Sequence, residues 1–120
     1  ISCHCMSAVG APTHPDAGKP RADFCVSDLE GRTASESAMS LVVDTLRSYG
    51  YSVSVNAPYI GNELIRRIGE PARGIDSIQV EINKKLFMDT ATFRPTAGLA
   101  RVRSDLDKLL ATLAARHSAS

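Results

Sequence analysis

Residues 75–89 read IDSIQVEINKKLFMD. Ile78, Val80 and Ile82 alternate with Ser77, Gln79, Glu81 and Asn83. A period of two predicts a β-strand over about 76–83, with one apolar and one polar face. The apolar face needs a covering layer, which makes this strand part of a packed sheet. The polar face carries an amide and a carboxylate side by side. On an open sheet edge they would meet water. Under a covering layer, burial would raise the carboxyl pKa and make Glu81 a candidate general base.

Upstream, residues 1–6 and 23–28 read as short strands, and YSVSV at 51–55 alternates cleanly. The segment 7–22 holds three Pro and two Gly and reads as a loop. A helix is expected over 34–49. Thr33 and Glu36 form a capping-box pattern, and Met39, Val42, Val43, Leu46 and Tyr49 share one face. Gly50 is placed to end it in a left-handed cap. Residues 56–74 read as loop with short structure at 62–68. A last helix is expected near 95–116, with Pro95 in its first turn and Leu99, Val102, Leu106, Leu109, Leu110 and Leu113 at helical spacing. The tail 117–120 is expected to fray. Helices alternating with apolar strands imply an α/β layered domain, with sites in the loops beyond strand ends.

At 120 residues the chain suits a single or partial domain, and 43% hydrophobic residues suffice for a core. A net charge of +1 supplies no field toward nucleic acid or membrane. There is no Trp and no row of aromatics to stack bases. No apolar run reaches membrane-spanning length. Three cysteines, an odd and low count, fit reduced thiols in a cytoplasmic setting. The chain begins with Ile in what reads as an interior strand, so a fragment or a processed product is expected.

Three stretches carry residues with chemical potential. In SCHCM, residues 2–6, an extended backbone puts Ser2, His4 and Met6 on one side and Cys3 and Cys5 on the other. A zinc site from Cys3, Cys5, His14 and Cys25 would match no common module spacing. Small buried hydrophobes are the commoner role for such cysteines. In NAPYIGNELIRRIGEP, residues 56–71, the Pro- and Gly-bearing turn can hold Asn56 and Tyr59 over a cleft. Arg66 and Arg67 offer planar forks for a carboxylate, or are simply solvated. The third stretch is the opening strand, with Gln79 beside Glu81.

Four blocks in register resemble the N-formylglutamate amidohydrolase family: SCHCM, ADFCVSDLEGRTAS, GYSVSVNAPYIGNELIRRIGEP and SIQVEINKKLFMD. The family pattern resembles D-x-H-S-M, D-x-x-x-x-D, G-Y-x-V-x-x-N-x-P-Y-x-G-G and Q-x-E-I-N-R-x-L-Y-M-D. The likeness covers about residues 1–93. It implies a three-layer αβα sandwich around a mixed sheet, related to zinc carboxypeptidases and aspartoacylase-like deacylases. This chain would be the C-terminal portion of that fold. The implied reaction is zinc-assisted hydrolysis of N-formylglutamate to formate and glutamate in histidine degradation. By the same resemblance His4 is a metal ligand and Glu81 the catalytic carboxylate. Asn56, Tyr59, Arg66, Arg67 and Gln79 are then candidates for substrate binding.

The chain departs from the pattern at Ser2 for Asp, Cys5 for Ser, Asn62 for the second Gly and Lys84 for Arg. The family's first metal motif, a His closely followed by an acidic ligand, lies upstream of D-x-H-S-M. Activity is therefore expected to require a missing N-terminal segment. Two alternatives follow: a deacylase of another N-acyl amino acid, or a truncated non-catalytic domain that binds or self-associates. In either hydrolase reading the partner is a small N-acyl amino acid.

Overall fold

The period of two over 79–83 does produce a strand, and that strand lies inside a four-stranded sheet. The protein is described from a computed structural model covering residues 1–119, with side chains through Arg116. The strands are β1 (Ser2–Met6), β2 (Phe24–Ser27), β3 (Val53–Val55) and β4 (Gln79–Asn83). Their order is β1-β4-β2-β3. β1 runs parallel to β4, β4 antiparallel to β2, and β2 parallel to β3. The sheet is therefore mixed, as the α/β reading requires.

Pairing fixes which side chains share a face. Cys3, Val80 and Val26 lie in one row across the sheet, and Cys5, Ile82, Phe24 and Val53 in the next. Two helices cover this apolar face. Helix α1 (Glu36–Ser48) buries Ala38, Met39, Val42, Val43 and Leu46 against it. Helix α3 (Gly98–Ala119) adds Val102 and Leu109, with Leu106 and Leu113 partly buried. Removing a methyl-rich side chain such as Leu46, fully buried here, costs about 2–5 kcal/mol in such cores.

The helix ends differ from expectation in two places. The N-cap of α1 is Ser35, whose hydroxyl accepts from the Ala38 N–H at 3.2 Å. Thr33 is buried and donates its hydroxyl to the Ser77 carbonyl at 2.7 Å, so it ties the loop to the segment entering β4 instead. At the other end Gly50 adopts φ 92° and closes the helix as expected. Helix α3 starts at Gly98, not near 95. Pro95 pairs with Met88 in an isolated bridge, and the Thr96 N–H bonds the Phe87 carbonyl, so this stretch is extended. The helix then continues to Ala119, past the expected fraying point.

Leu99 and Leu110 stand on the expected apolar stripe of α3, but they are 44% and 51% exposed. The segment 56–74 holds the short helix α2 (Glu63–Ile68), capped by Asn62, and a 3₁₀ turn at Pro71–Arg73. Among the described residues, no helix is long and apolar enough to cross a membrane.

Candidate active site

The polar face is covered along β4, whereas His4 on the edge strand is exposed. Gln79, Glu81 and Asn83 of β4 are all buried. Register places His4 of β1 on one side of Glu81 and Cys25 of β2 on the other. Glu81 is 8% exposed. Its Oε1 accepts from the Gln79 amide at 3.4 Å, and its buried Oε2 accepts no hydrogen bond. Burial raises the Glu81 carboxyl above the ordinary range, and the nearby His4 and Arg21 charges pull it partly back.

The segment 56–62 roofs this face. The Ser27 hydroxyl donates to the Tyr59 carbonyl at 2.6 Å, and the Cys25 thiol to the Ala57 carbonyl at 3.2 Å. Gly61 sits at φ 136°, where a Cβ would fall 2.5 Å from Ile65 Cδ1. Only glycine lets the chain turn there into α2. Asn62 then does two things at once. Its Oδ1 accepts from the Ile65 N–H at 3.1 Å, capping α2. Its Nδ2 lies 3.0 Å from His4 Nε2, which also contacts the Ser2 hydroxyl at 3.0 Å. Two positions that depart from the family pattern thus both touch the candidate ligand.

A buried guanidinium ties the neighbouring loop to this roof. The Arg21 side chain is 2% exposed. It forks onto Asp16 at 2.8 and 3.2 Å and donates to the Ser7 and Tyr59 hydroxyls at 3.1 and 3.0 Å. It also lies 3.1 Å from His14 Nδ1. The bond to Arg21 holds the Asp16 carboxyl below its usual range. Arg21 therefore pins the 7–22 loop to Tyr59. Sequence reasoning passed over it, because a lone arginine between Pro20 and Ala22 carries no periodic signal. Only its burial, rare for Arg, marks it.

The other candidates are placed as follows. Tyr59 lies in the roof, its hydroxyl bonded to Arg21 and its ring edge-on to His14. Asn56, at φ 52°, spends its amide on Asp28: Oδ1 accepts the Asp28 N–H at 3.0 Å and Nδ2 donates to Oδ1 of Asp28 at 2.9 Å. Arg66 and Arg67 are exposed on the last turn of α2, where both pair with Glu63. So His4, Gln79, Glu81 and Tyr59 belong to the sheet face and its roof, while the two arginines face solvent.

The arrangement offers one carboxylate with a free, desolvated oxygen and one imidazole beside it. A zinc centre needs more. Among the described residues, no three His, Cys, Asp or Glu side chains converge. Cys3 and Cys5 lie on the opposite face from His4 and Cys25, so the four-residue grouping with His14 does not assemble. These side chains fit one ligand position, at His4, and do not by themselves fit a complete zinc site.

Comparison with known proteins adds the family. No curated protein sequence matches the chain. Among solved structures, the crystal structure of N-formylglutamate amidohydrolase from Ralstonia eutropha JMP134 superposes with a TM-score of 0.81 at 33% identity. The match covers 95% of this chain and 42% of that one, so the chain spans less than half of its relative's length. The family model for N-formylglutamate amidohydrolase matches residues 1–88, which include β1, the roof segment and β4. On these matches, the chain belongs to the N-formylglutamate amidohydrolase family.

Proposed function

We propose that this chain carries the base-bearing half of an amide hydrolase acting on N-formylglutamate. The observation that carries the reading is Glu81: a buried carboxylate with an unpartnered oxygen, next to His4 and beneath a fixed roof. Its raised pKa suits a group that takes and returns a proton. Glu81 Oε2 would accept a proton from the attacking water as its oxygen bonds to the formyl carbon. The C–N bond then breaks, and the same proton passes to the leaving nitrogen, giving formate and glutamate. Gln79 donates to the other carboxylate oxygen, and Arg21 holds Tyr59 in the roof. Zinc belongs to this reading as a Lewis acid with His4 as one ligand and the others from outside these residues. Three reduced thiols accord with a cytoplasmic location.

The test is formate release from N-formylglutamate by protein containing this chain, with zinc content measured in parallel. Glu81→Gln is expected to lower kcat by about 100-fold or more while leaving zinc content unchanged. His4→Ala is expected to lower zinc content. An active protein insensitive to Glu81→Gln would overturn the reading.

A second reading rests on Ser2 and Asn62, which depart from the family pattern and both contact His4. It keeps the reaction but assigns a different N-acyl amino acid. A panel of N-acyl substrates decides: clear preference for N-formylglutamate rejects it.

A further inference from the structure

His4 stands exposed on the edge strand, so packing does not fix its ring. Two side chains do, and both reach the same nitrogen. The Ser2 hydroxyl and Asn62 Nδ2 each lie 3.0 Å from His4 Nε2. The other ring nitrogen, Nδ1, has no hydrogen-bond partner among the described residues.

The two contacts are not equivalent. A hydroxyl donates or accepts, so Ser2 adapts to whatever the imidazole presents. An amide nitrogen only donates. Which end of the Asn62 amide faces His4 is decided on its far side. There Oδ1 accepts the Ile65 N–H at 3.1 Å, as the cap of α2. A turned amide would set Nδ2 against that N–H, donor against donor, and lose the cap. Nε2 therefore accepts from Asn62, and in the neutral imidazole the proton sits on Nδ1.

A metal ion takes a lone pair from one ring nitrogen, and a metal-bound histidine ordinarily donates its other N–H to an acceptor. Asn62 presents the opposite. With Nε2 engaged by the amide and Nδ1 protonated, neither nitrogen holds an open lone pair. We propose that Asn62 is a positioning residue that selects this tautomer of His4 and competes with a metal ion for its lone pair. The tautomer stands on the hydrogen bonds alone. The competition rests on the zinc reading of His4 given above.

The test records two-bond proton–nitrogen correlation spectra of the nitrogen-labelled, metal-free chain at alkaline pH, where imidazoles are neutral. The His4 peaks are assigned by their loss in His4→Ala. The parent chain is expected to show the Nδ1–H form in excess. Asn62→Asp keeps the cap, since aspartate caps as well as asparagine, but offers His4 an acceptor. It is expected to move the ratio of the two tautomers by about tenfold or more toward Nε2–H. The Ile65 amide in the same sample reports that the cap is kept. Asn62→Ser also caps, and its shorter side chain withdraws from His4. In protein containing this chain it is expected to tighten zinc binding, measured against a competing chelator, by about threefold or more. A parent already in the Nε2–H form, or a ratio that Asn62→Asp does not move, overturns the tautomer assignment. Zinc affinity unchanged or weakened in Asn62→Ser overturns the competition. If neither parent nor variant binds zinc, the zinc reading and the competition fail together, and the metal-free spectra still decide the tautomer.

Discussion

Glu81 is costly where it stands. Its carboxyl is buried, one oxygen has no partner, and its pKa is raised first by desolvation. A fold that raises a carboxyl's pKa favours the protonated form. That contribution is full below the ordinary value of 4.5 and disappears as pH rises through the higher folded value. At neutral pH the ionised group weighs against the fold. Glu81→Gln should therefore stabilise the protein by roughly 0.5–2 kcal/mol at neutral pH, with the gain vanishing under acid. Thermal melts of both proteins across pH check this. A stabilising change that removes activity would mark a residue kept for chemistry. The alternation in the sequence already showed Glu81 on a polar strand face. It could not show the burial, because the roof comes from residues 56–62. Arg21 was harder still: its partners Ser7, His14, Asp16 and Tyr59 come together only through loop geometry.

At the scale of elements, a buried hydrogen bond ties α3 to the sheet layer. The Tyr51 hydroxyl donates to Asp105 Oδ2 at 2.6 Å, while the Tyr51 ring stacks edge-on against Phe24. Burial and the Asp105 bond push the Tyr51 pKa from 10.0 up to about 12. The protonated phenol is thus favoured by the fold. Its contribution is full below about pH 10 and is lost as pH rises toward 12. That window carries about 2–3 kcal/mol. Tyr51→Phe should cost about 1.5–3 kcal/mol at neutral pH, since it strips a buried carboxylate of its closest donor. It should also flatten the alkaline fall relative to the parent protein. Urea unfolding at both pH values checks each part. The helix itself was legible from leucine spacing, but its start was not. Pro95 looks like a first-turn proline in sequence, yet the Asp89 N–H bonds the Arg94 carbonyl and folds the chain back first. Thr33 misled in the same way, because its hydroxyl serves Ser77, distant in sequence.

For the molecule as a whole, the sheet grades from a closed centre to an open edge. β4 and β2 have partners on both sides, whereas β1 has one. Amide exchange should follow that gradient. The amides of Val80, Glu81 and Ile82 should exchange only through global unfolding, and those of Cys3 and Cys5 close to unprotected rates. Residue-resolved exchange by NMR checks it, and slow exchange at Cys3 in the isolated monomer would contradict the open edge. Strand positions, the polar face and the α/β class were readable from periodicity. Strand order was not, since it depends on pairings between distant segments.

Those pairings have a consequence for synthesis. Of these four strands β1 comes earliest in the sequence, and it pairs with β4: Ser2 opposes Gln79 and Met6 opposes Asn83. The β2–α1–β3 unit between them can form from neighbouring segments. β1 must wait through that interval, and such long-range pairing makes for slow folding. On a ribosome, that waiting strand would be the natural target for a chaperone or for a neighbouring nascent chain.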